Sequence, residues 1–219
     1  MTKRTVQKAP SYLYAGQKLI KICSTQNKIY GLLAGGVPDT VNTDMQDTGN
    51  LKGKYGEIVI GGMLNILALE NENCFVFHSV AAPHNKPGET DHILLYKNKL
   101  ILVETKTYSN FKSFKVSKEG ELKGRKIGEK STLRRLENNN LIEKVNDYQL
   151  FFPEYSIHAI TAITRSDVYT SSENGKYKVA SLSDILQNIY YHMERAEDIS
   201  SDLNEESIHY LASQCLKRN

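Results

Sequence analysis

Two periods of apolar and polar residues succeed one another along this chain, and each change of period marks a new element. Over residues 54–70, KYGEIVIGGMLNILALE, the positions Ile60, Gly61, Leu64, Leu67 and Ala68 recur at helical spacing and predict a helix with one buried face. Glu57 precedes Ile60 and Gly61 by three and four residues, so it lies on that same inward face one turn earlier. An acid so phased approaches the neighbouring layer, although a glutamate in a first helical turn also suits the helix dipole. Residues 74–80, CFVFHSV, then read as a strand, and AAPHNKPG as the loop that follows.

The next stretch, ETDHILLYKNKLILVETK, organises the rest. It predicts strands over 91–96 and 99–106 joined by a tight turn at Lys97 and Asn98. With a two-residue turn Tyr96 opposes Lys99, and counting back sets Asp91 opposite Glu104. Directly opposed side chains have Cβ atoms about 4.5–5.5 Å apart on one face of the sheet, close enough for two carboxylates to grip one divalent cation. Side chains alternate along a strand, so Leu102, Glu104 and Lys106 share one face while Ile101, Val103 and Thr105 share the other. A loop of different length would turn Asp91 away. Charged strand ends are also common at surfaces, and both readings of this hairpin stand at this point.

Further along, SNFKSFKVSKEGELKGRKIG predicts two short basic strands with a turn near Glu119 and Gly120. Phe111 and Phe114 punctuate its lysines, a mixture that suits a nucleic-acid backbone and an unstacked base, or a solvated edge hairpin protected by charge. Ser131 is placed to cap a helical region reaching to about residue 152, interrupted near 138–140, with Leu141, Val145, Tyr148 and Phe152 in one stripe. Gln149 sits at the edge of that stripe, as a site residue or as a partly buried amide. Residues 156–164 predict a buried strand and 177–181 a short one. Residues 182–193 predict a helix capped by Ser181 or Ser183, and 204–216 another. Within the first 51 residues, 12–33 mixes apolar and basic positions and is read as an extension holding a helix.

Composition changes little until it is resolved by position. With 219 residues, 40% hydrophobic and 24% charged, the chain suits one sizeable domain with appendages. No run approaches the about 18 apolar residues of a membrane span, and the amino terminus lacks the apolar core of a secretory leader, so a cytoplasmic protein without membrane association is expected. Cys23, Cys74 and Cys215 are scattered and odd in number, which predicts reduced thiols. His78, His84 and His92 match no compact zinc spacing. The net charge is only +3, but between Lys97 and Arg135 there are 12 Lys or Arg against 4 Asp or Glu. This excess makes Lys112, Lys115, Lys123, Arg125, Lys126 and Arg134 candidates for contacting a polyanion.

An inward helix Glu, then a strand, then Asp, then Glu-x-Lys on the adjacent strand resembles the PD-(D/E)XK nuclease superfamily, and most closely its NERD (nuclease-related domain) branch. The likeness rests on GKYGEIVI with Glu57, on TDHILLYKNKLILVETK with Asp91, Glu104 and Lys106, and on Asn146-x-x-Gln149. It covers residues 52–165, with 1–51 as an amino-terminal extension and 166–219 as a carboxyl-terminal strand and helices. Thr90 stands where the superfamily has its proline, and Pro153 where RecB-like relatives have a tyrosine. The resemblance implies an α/β fold, a central mixed sheet flanked by helices, and phosphodiester hydrolysis dependent on Mg²⁺ or Mn²⁺. It makes DNA rather than RNA the expected partner, and endonuclease action is favoured over exonuclease action. Asp91 and Glu104 would hold the cation with the Thr105 carbonyl, and Glu57 would join them directly or through water. Lys106 would orient water or neutralise phosphate, and Gln149 would complete the catalytic set. The alternative is a nucleic-acid-binding module that keeps the fold without catalysis.

Overall fold

The computed structural model describes residues 10–15, 18–22, 28–31, 48–85, 88–136, 139–173 and 175–215. Three strands, β1 (Pro10–Ala15), β2 (Lys18–Ile22) and β3 (Ile29–Gly31), precede the helix α1 (Thr48–Glu70). Then come β4 (Cys74–Ala81), β5 (Glu89–Tyr96), β6 (Lys99–Lys106), β7 (Phe111–Val116), β8 (Leu122–Lys126) and β9 (Arg134–Arg135). After α2 (Asn139–Phe151) follow β10 (Ser156–Ile163), β11 (Tyr169–Ser172), β12 (Tyr177–Ser181), α3 (Ile185–Met193) and α4 (Ser201–Cys215).

Continuous apolar runs become the middle of a six-stranded sheet, ordered β12-β10-β6-β5-β4-β3, because strands covered on both faces need apolar residues at every position. Pairing is antiparallel from β4 to β6 and parallel at β3–β4, β6–β10 and β10–β12, so the sheet is mixed. Helices α1 and α3 cover one face. There Ile60, Leu64, Ile185 and Ile189 pack on Val76, Leu94, Ile101, Val103 and Ile160, all essentially without solvent exposure. Helices α2 and α4 cover the other, where Val145, Tyr148 and Leu211 meet Phe77, Ile93, Leu95, Leu100 and Leu102. The α/β architecture is therefore a central mixed sheet flanked by helices. Leu100 and Leu102 fall in one layer while Ile101 and Val103 fall in the other, as the alternation along β6 requires.

A second sheet, ordered β11-β7-β8-β9, sits on the α2 and α4 side through Phe114, Val116 and Leu122. Gly120 makes its hairpin turn at φ 92, where a side chain would be strained. Among the described residues no helix is long and apolar enough to cross a membrane. Cys74 and Cys215 are buried free thiols, and Cys23 lies outside the described residues.

Several expectations are corrected. Helix α1 begins at Thr48, so Glu57 lies in its third turn and draws little from the helix dipole. Helix α2 begins at Asn139, not near Ser131. Arg134 and Arg135 instead pair with Gly124 and Lys123, and the Leu136 amide donates to the Leu122 carbonyl at 2.8 Å, which makes this stretch an edge strand. Strand β11 went unforeseen because YTSS has no apolar alternation. The α3 cap position is held by Asp184 rather than by either serine. Where a helix was expected over 12–33, the described residues form β1, β2 and β3, and β3 joins the central sheet. Buried Lys28 beside it donates to the Asn71 carbonyl at 2.8 Å, placing a cation at the negative end of α1.

Candidate functional site at the open end of the central hairpin

The β5–β6 hairpin has the register read from its turn: Tyr96 pairs with Lys99 and His92 with Val103. Lys97, at φ 51, takes the left-handed conformation that a two-residue turn demands. The turn is tied down from outside, since the Glu197 amide donates to Asn98 Oδ1 at 2.9 Å and Lys97 pairs with Asp198 at 2.9 Å.

At the opposite end the β5–β6 ladder stops short of Asp91, and the expected pairing of Asp91 with Glu104 does not form, while the β4–β5 ladder is interrupted there. On the β6 side pairing ends at His92 and Val103. On the β4 side the Ser79–Asp91 pair is missing between His78–His92 and Val80–Thr90, with the register unchanged across the gap and Ser79 at φ 52. Asp91 is thus released from both neighbours. Its carboxylate turns onto β6, where Oδ2 accepts the Thr105 amide at 2.7 Å. The N–H and C=O of one strand residue point the same way, so the Thr105 carbonyl lies on this edge too.

Glu104 is directed into the layer under α2. Lys144 Nζ donates to Glu104 Oε1 and to the Glu89 carbonyl, while Lys106 Nζ approaches Glu104 Oε2 at 3.4 Å. Glu57 reaches the cluster from α1 because Gly56 lets the helix lie against the ends of β6 and β10. A Cβ on Gly56 would stand 2.3 Å from Thr164 Cγ2 and 3.3 Å from Thr105 Cγ2.

The charges agree with this geometry. Burial, then the charges of Asp91 and Glu104 against the partial relief of Lys106, push the Glu57 carboxyl up to about 7. Burial also raises Asp91, opposed by the Thr105 amide and the two lysines, and it raises Glu104, which the Asp91 charge lifts further. Lys106 is partly desolvated, which works against its charge, yet Glu104 and Asp91 prevail and hold it above the ordinary lysine value. Three carboxyls and two ammonium groups crowd together here, partly withdrawn from water. The arrangement favours a further positive charge and offers hard oxygen donors.

Beneath it, His78 and His92 meet with Nδ1 atoms 2.9 Å apart, and His78 Nε2 lies 2.8 Å from Asn65 Oδ1. The Asn65 oxygen can only accept, so His78 donates from Nε2 and accepts at Nδ1 from His92. Burial keeps both rings neutral, with His92 lowered to about 4. They belong to the packing between α1 and the sheet. His84 is separate, stacked edge-on against Phe151.

Of the residues singled out in the sequence, Glu57, Asp91, Glu104, Thr105 and Lys106 come together. Gln149 does not join them: its Nε2 donates to the Tyr155 carbonyl at 3.1 Å and closes the turn after α2. Lys144 takes its place in the cluster and was overlooked. It lies three residues after Leu141 and four before Tyr148, on the inward edge of their stripe, and a lysine there reads as one whose head reaches back to water. The basic tract is largely paired, with Lys115–Glu173 at 2.8 Å, Lys123–Glu121 at 3.5 Å and Arg134–Glu129 at 2.5 Å. Arg125 donates to Ser113 Oγ and the Lys130 carbonyl, while Lys112 and Lys126 are partly exposed. Phe114 is buried in the core and Phe111 packs against Tyr108, so neither phenylalanine is presented as a stacking surface.

No curated protein and no solved structure matches the chain. The family model of NERD, the nuclease-related domain, matches residues 52–164, just over half of the 219. Its span runs from α1 to the end of β10 and takes in every member of the cluster; on that match, the chain belongs to the NERD family.

Proposed function

We propose that this protein is a divalent-metal-dependent nuclease that hydrolyses phosphodiester bonds, with DNA as its substrate. One observation carries the reading: Asp91, Glu104, Glu57 and Lys106 converge where the β5–β6 ladder opens, on a chain of a nuclease-related family. Among the described residues no three His, Cys, Asp or Glu side chains form a ready-made metal cluster. The donor chemistry nevertheless fits Mg²⁺ or Mn²⁺. Asp91 Oδ1 has no hydrogen-bond partner among the described residues, and the Lys144 ammonium shows that Glu104 accepts a cation at Oε1. Asp91 and Glu104 would hold the ion with the Thr105 carbonyl, and Glu57 would complete its surroundings.

When bound, the ion polarises a phosphoryl oxygen and makes water a stronger acid. The side chains supply the remainder. Glu57, whose carboxyl is held up to about 7 by burial and its acidic neighbours without the cation, is placed to accept a proton from the attacking water once the cation favours its charged form. Lys106, held beside Glu104, stays charged and neutralises the phosphate as negative charge grows on it.

The test is incubation of circular and linear DNA, and of RNA, with Mg²⁺, Mn²⁺ or EDTA. Asp91→Ala and Lys106→Ala should each lower cleavage by about 10²-fold or more while leaving the circular dichroism unchanged. Nicked circles would identify endonuclease action. Undiminished cleavage by both variants would remove the assigned site. A second reading, a nucleic-acid-binding module without catalysis, draws support from Lys144 and Lys106 already occupying both oxygens of Glu104. It predicts salt-sensitive binding with no cleavage under any metal.

A further inference from the structure

The outward face of the second sheet carries a cavity that the cluster does not use. Its volume is about 290 Å³, and Ser113, Lys115, Arg125, Tyr169 and Ser171 line it, with Leu133 in the overhanging loop. Register explains why these residues meet. Tyr169 pairs with Ser113 and Ser171 with Lys115 across β11–β7, and Ser113 pairs with Arg125 across β7–β8. Paired residues share a face, while Phe114 and Val116, which alternate with them, point into the core.

The same registers set Lys115 opposite Lys123, and Lys123 opposite Arg135. Like charges directly opposed across strands are unfavourable. Glu173 and Glu121 offset this row, with one acid beside Lys115 and one shared by Lys123 and Arg135 at 3.5 and 3.3 Å. At the cavity, Arg125 is oriented by Ser113 Oγ and the Lys130 carbonyl through Nε and Nη1, and its Nη2 has no hydrogen-bond partner among the described residues. Tyr169 leaves 79% of its surface in solvent, far more than an aromatic ring normally does. A fixed guanidinium with one nitrogen still open, a lysine beside it and an open aromatic face are what a nucleotide without a pairing partner requires: charge for the phosphate, a ring for the base. The volume suits one such unit.

We propose that this face binds one unstacked nucleotide of a single-stranded nucleic acid, with its phosphate on Arg125 and Lys115 and its base on Tyr169. The proposal rests on the nuclease reading and adds the form of substrate. Ser113 follows Lys106 by seven positions, so their Cα atoms lie within about 25 Å, a distance that a few nucleotides span.

The experiment is fluorescence anisotropy of the full chain, in EDTA to prevent turnover, with a labelled oligothymidylate and with a blunt duplex of equal length. Tyr169→Ala and Arg125→Gln should each weaken the single strand by about 10-fold. Tyr169→Phe should bind as the wild type does, and affinity for the duplex should change less than about 2-fold. Wild-type affinity of Tyr169→Ala for the single strand would overturn this proposal and leave the nuclease reading intact. So would displacement of the oligonucleotide by polyglutamate of equal charge as effectively as by unlabelled strand. If the wild type bound neither nucleic acid in EDTA, this proposal would fail, whereas the nuclease reading fails only if no cleavage occurs with Mg²⁺ or Mn²⁺.

Discussion

Lys144 carries the sharpest consequence at the scale of single residues. Its side chain and that of Glu104 keep only 13% and 7% of their surface in solvent, so the pair is effectively buried. Removing one partner of a buried pair costs about 3–5 kcal/mol because the other charge is left uncompensated. Lys106 remains beside Glu104, which places Lys144→Met at the low end, about 3 kcal/mol at neutral pH in EDTA by urea unfolding. Mg²⁺ should recover part of that loss if Glu104 is a ligand. A variant as stable as the wild type would show the contact to be unimportant. The hairpin register was legible from the sequence because it is a local property, and it brought Asp91 near Glu104 and Lys106; that Asp91 leaves the ladder and turns to the Thr105 amide instead of pairing with Glu104 was not. Lys144 was not, because its role depends on α2 lying across β6.

At the scale of elements, α1 is positioned by what it lacks at one point. Gly56 has no room for a side chain against Thr164, whereas Gly62 has nothing within 4 Å of an added Cβ. Alanine in a helix gains about 1 kcal/mol over glycine, but forced overpacking costs about 1–3 kcal/mol. Gly62→Ala should therefore raise the melting temperature, while Gly56→Ala lowers it and also reduces cleavage by shifting Glu57. Equal behaviour of the two variants would refute the packing argument. The stripe of Ile60, Leu64 and Leu67 identified this helix from its period alone. Its start at Thr48 did not show, since apolar residues thin out in that turn. The stretch around Arg134 misled for a related reason: a short edge strand takes its conformation from β8, not from any pattern of its own.

For the whole molecule, histidines buried between layers set the response to acid. His158 and His192 stack between β10 and α3 with ring centroids 4.1 Å apart. Burial lowers His158 to about 4, helped by Lys99 and Lys176. It lowers His192 to about 3, helped by His158, Lys178, Lys99 and Arg195. Unfolded histidine titrates near 6.5, so the unfolded chain takes up protons that the fold refuses, and stability falls as pH drops below about 6.5. Glu57 acts in the opposite sense, losing stability as pH rises from about 4.5 to 7, and the raised Asp91 and Glu104 carboxyls act in the same direction as Glu57. Melting at pH 7 and pH 5 separates the two effects: His192→Phe should lose less on acidification than the wild type. An identical loss would exclude His192 as a contributor.

What the sequence by itself determined is whatever depends on neighbours close along the chain. The helical stripe of α1, the turn and register of the central hairpin, the alternation along β6 and the basic excess after it all follow from spacing. Tertiary structure alone decided the rest. It brought Lys144 to Glu104 from 40 residues away, sent Gln149 to a turn, and set Tyr169 beside Ser113 from 56 residues away. Such pairings depend on which sheet face each helix covers and which strands lie side by side, and that outcome is settled by burying the whole core at once rather than by any local preference.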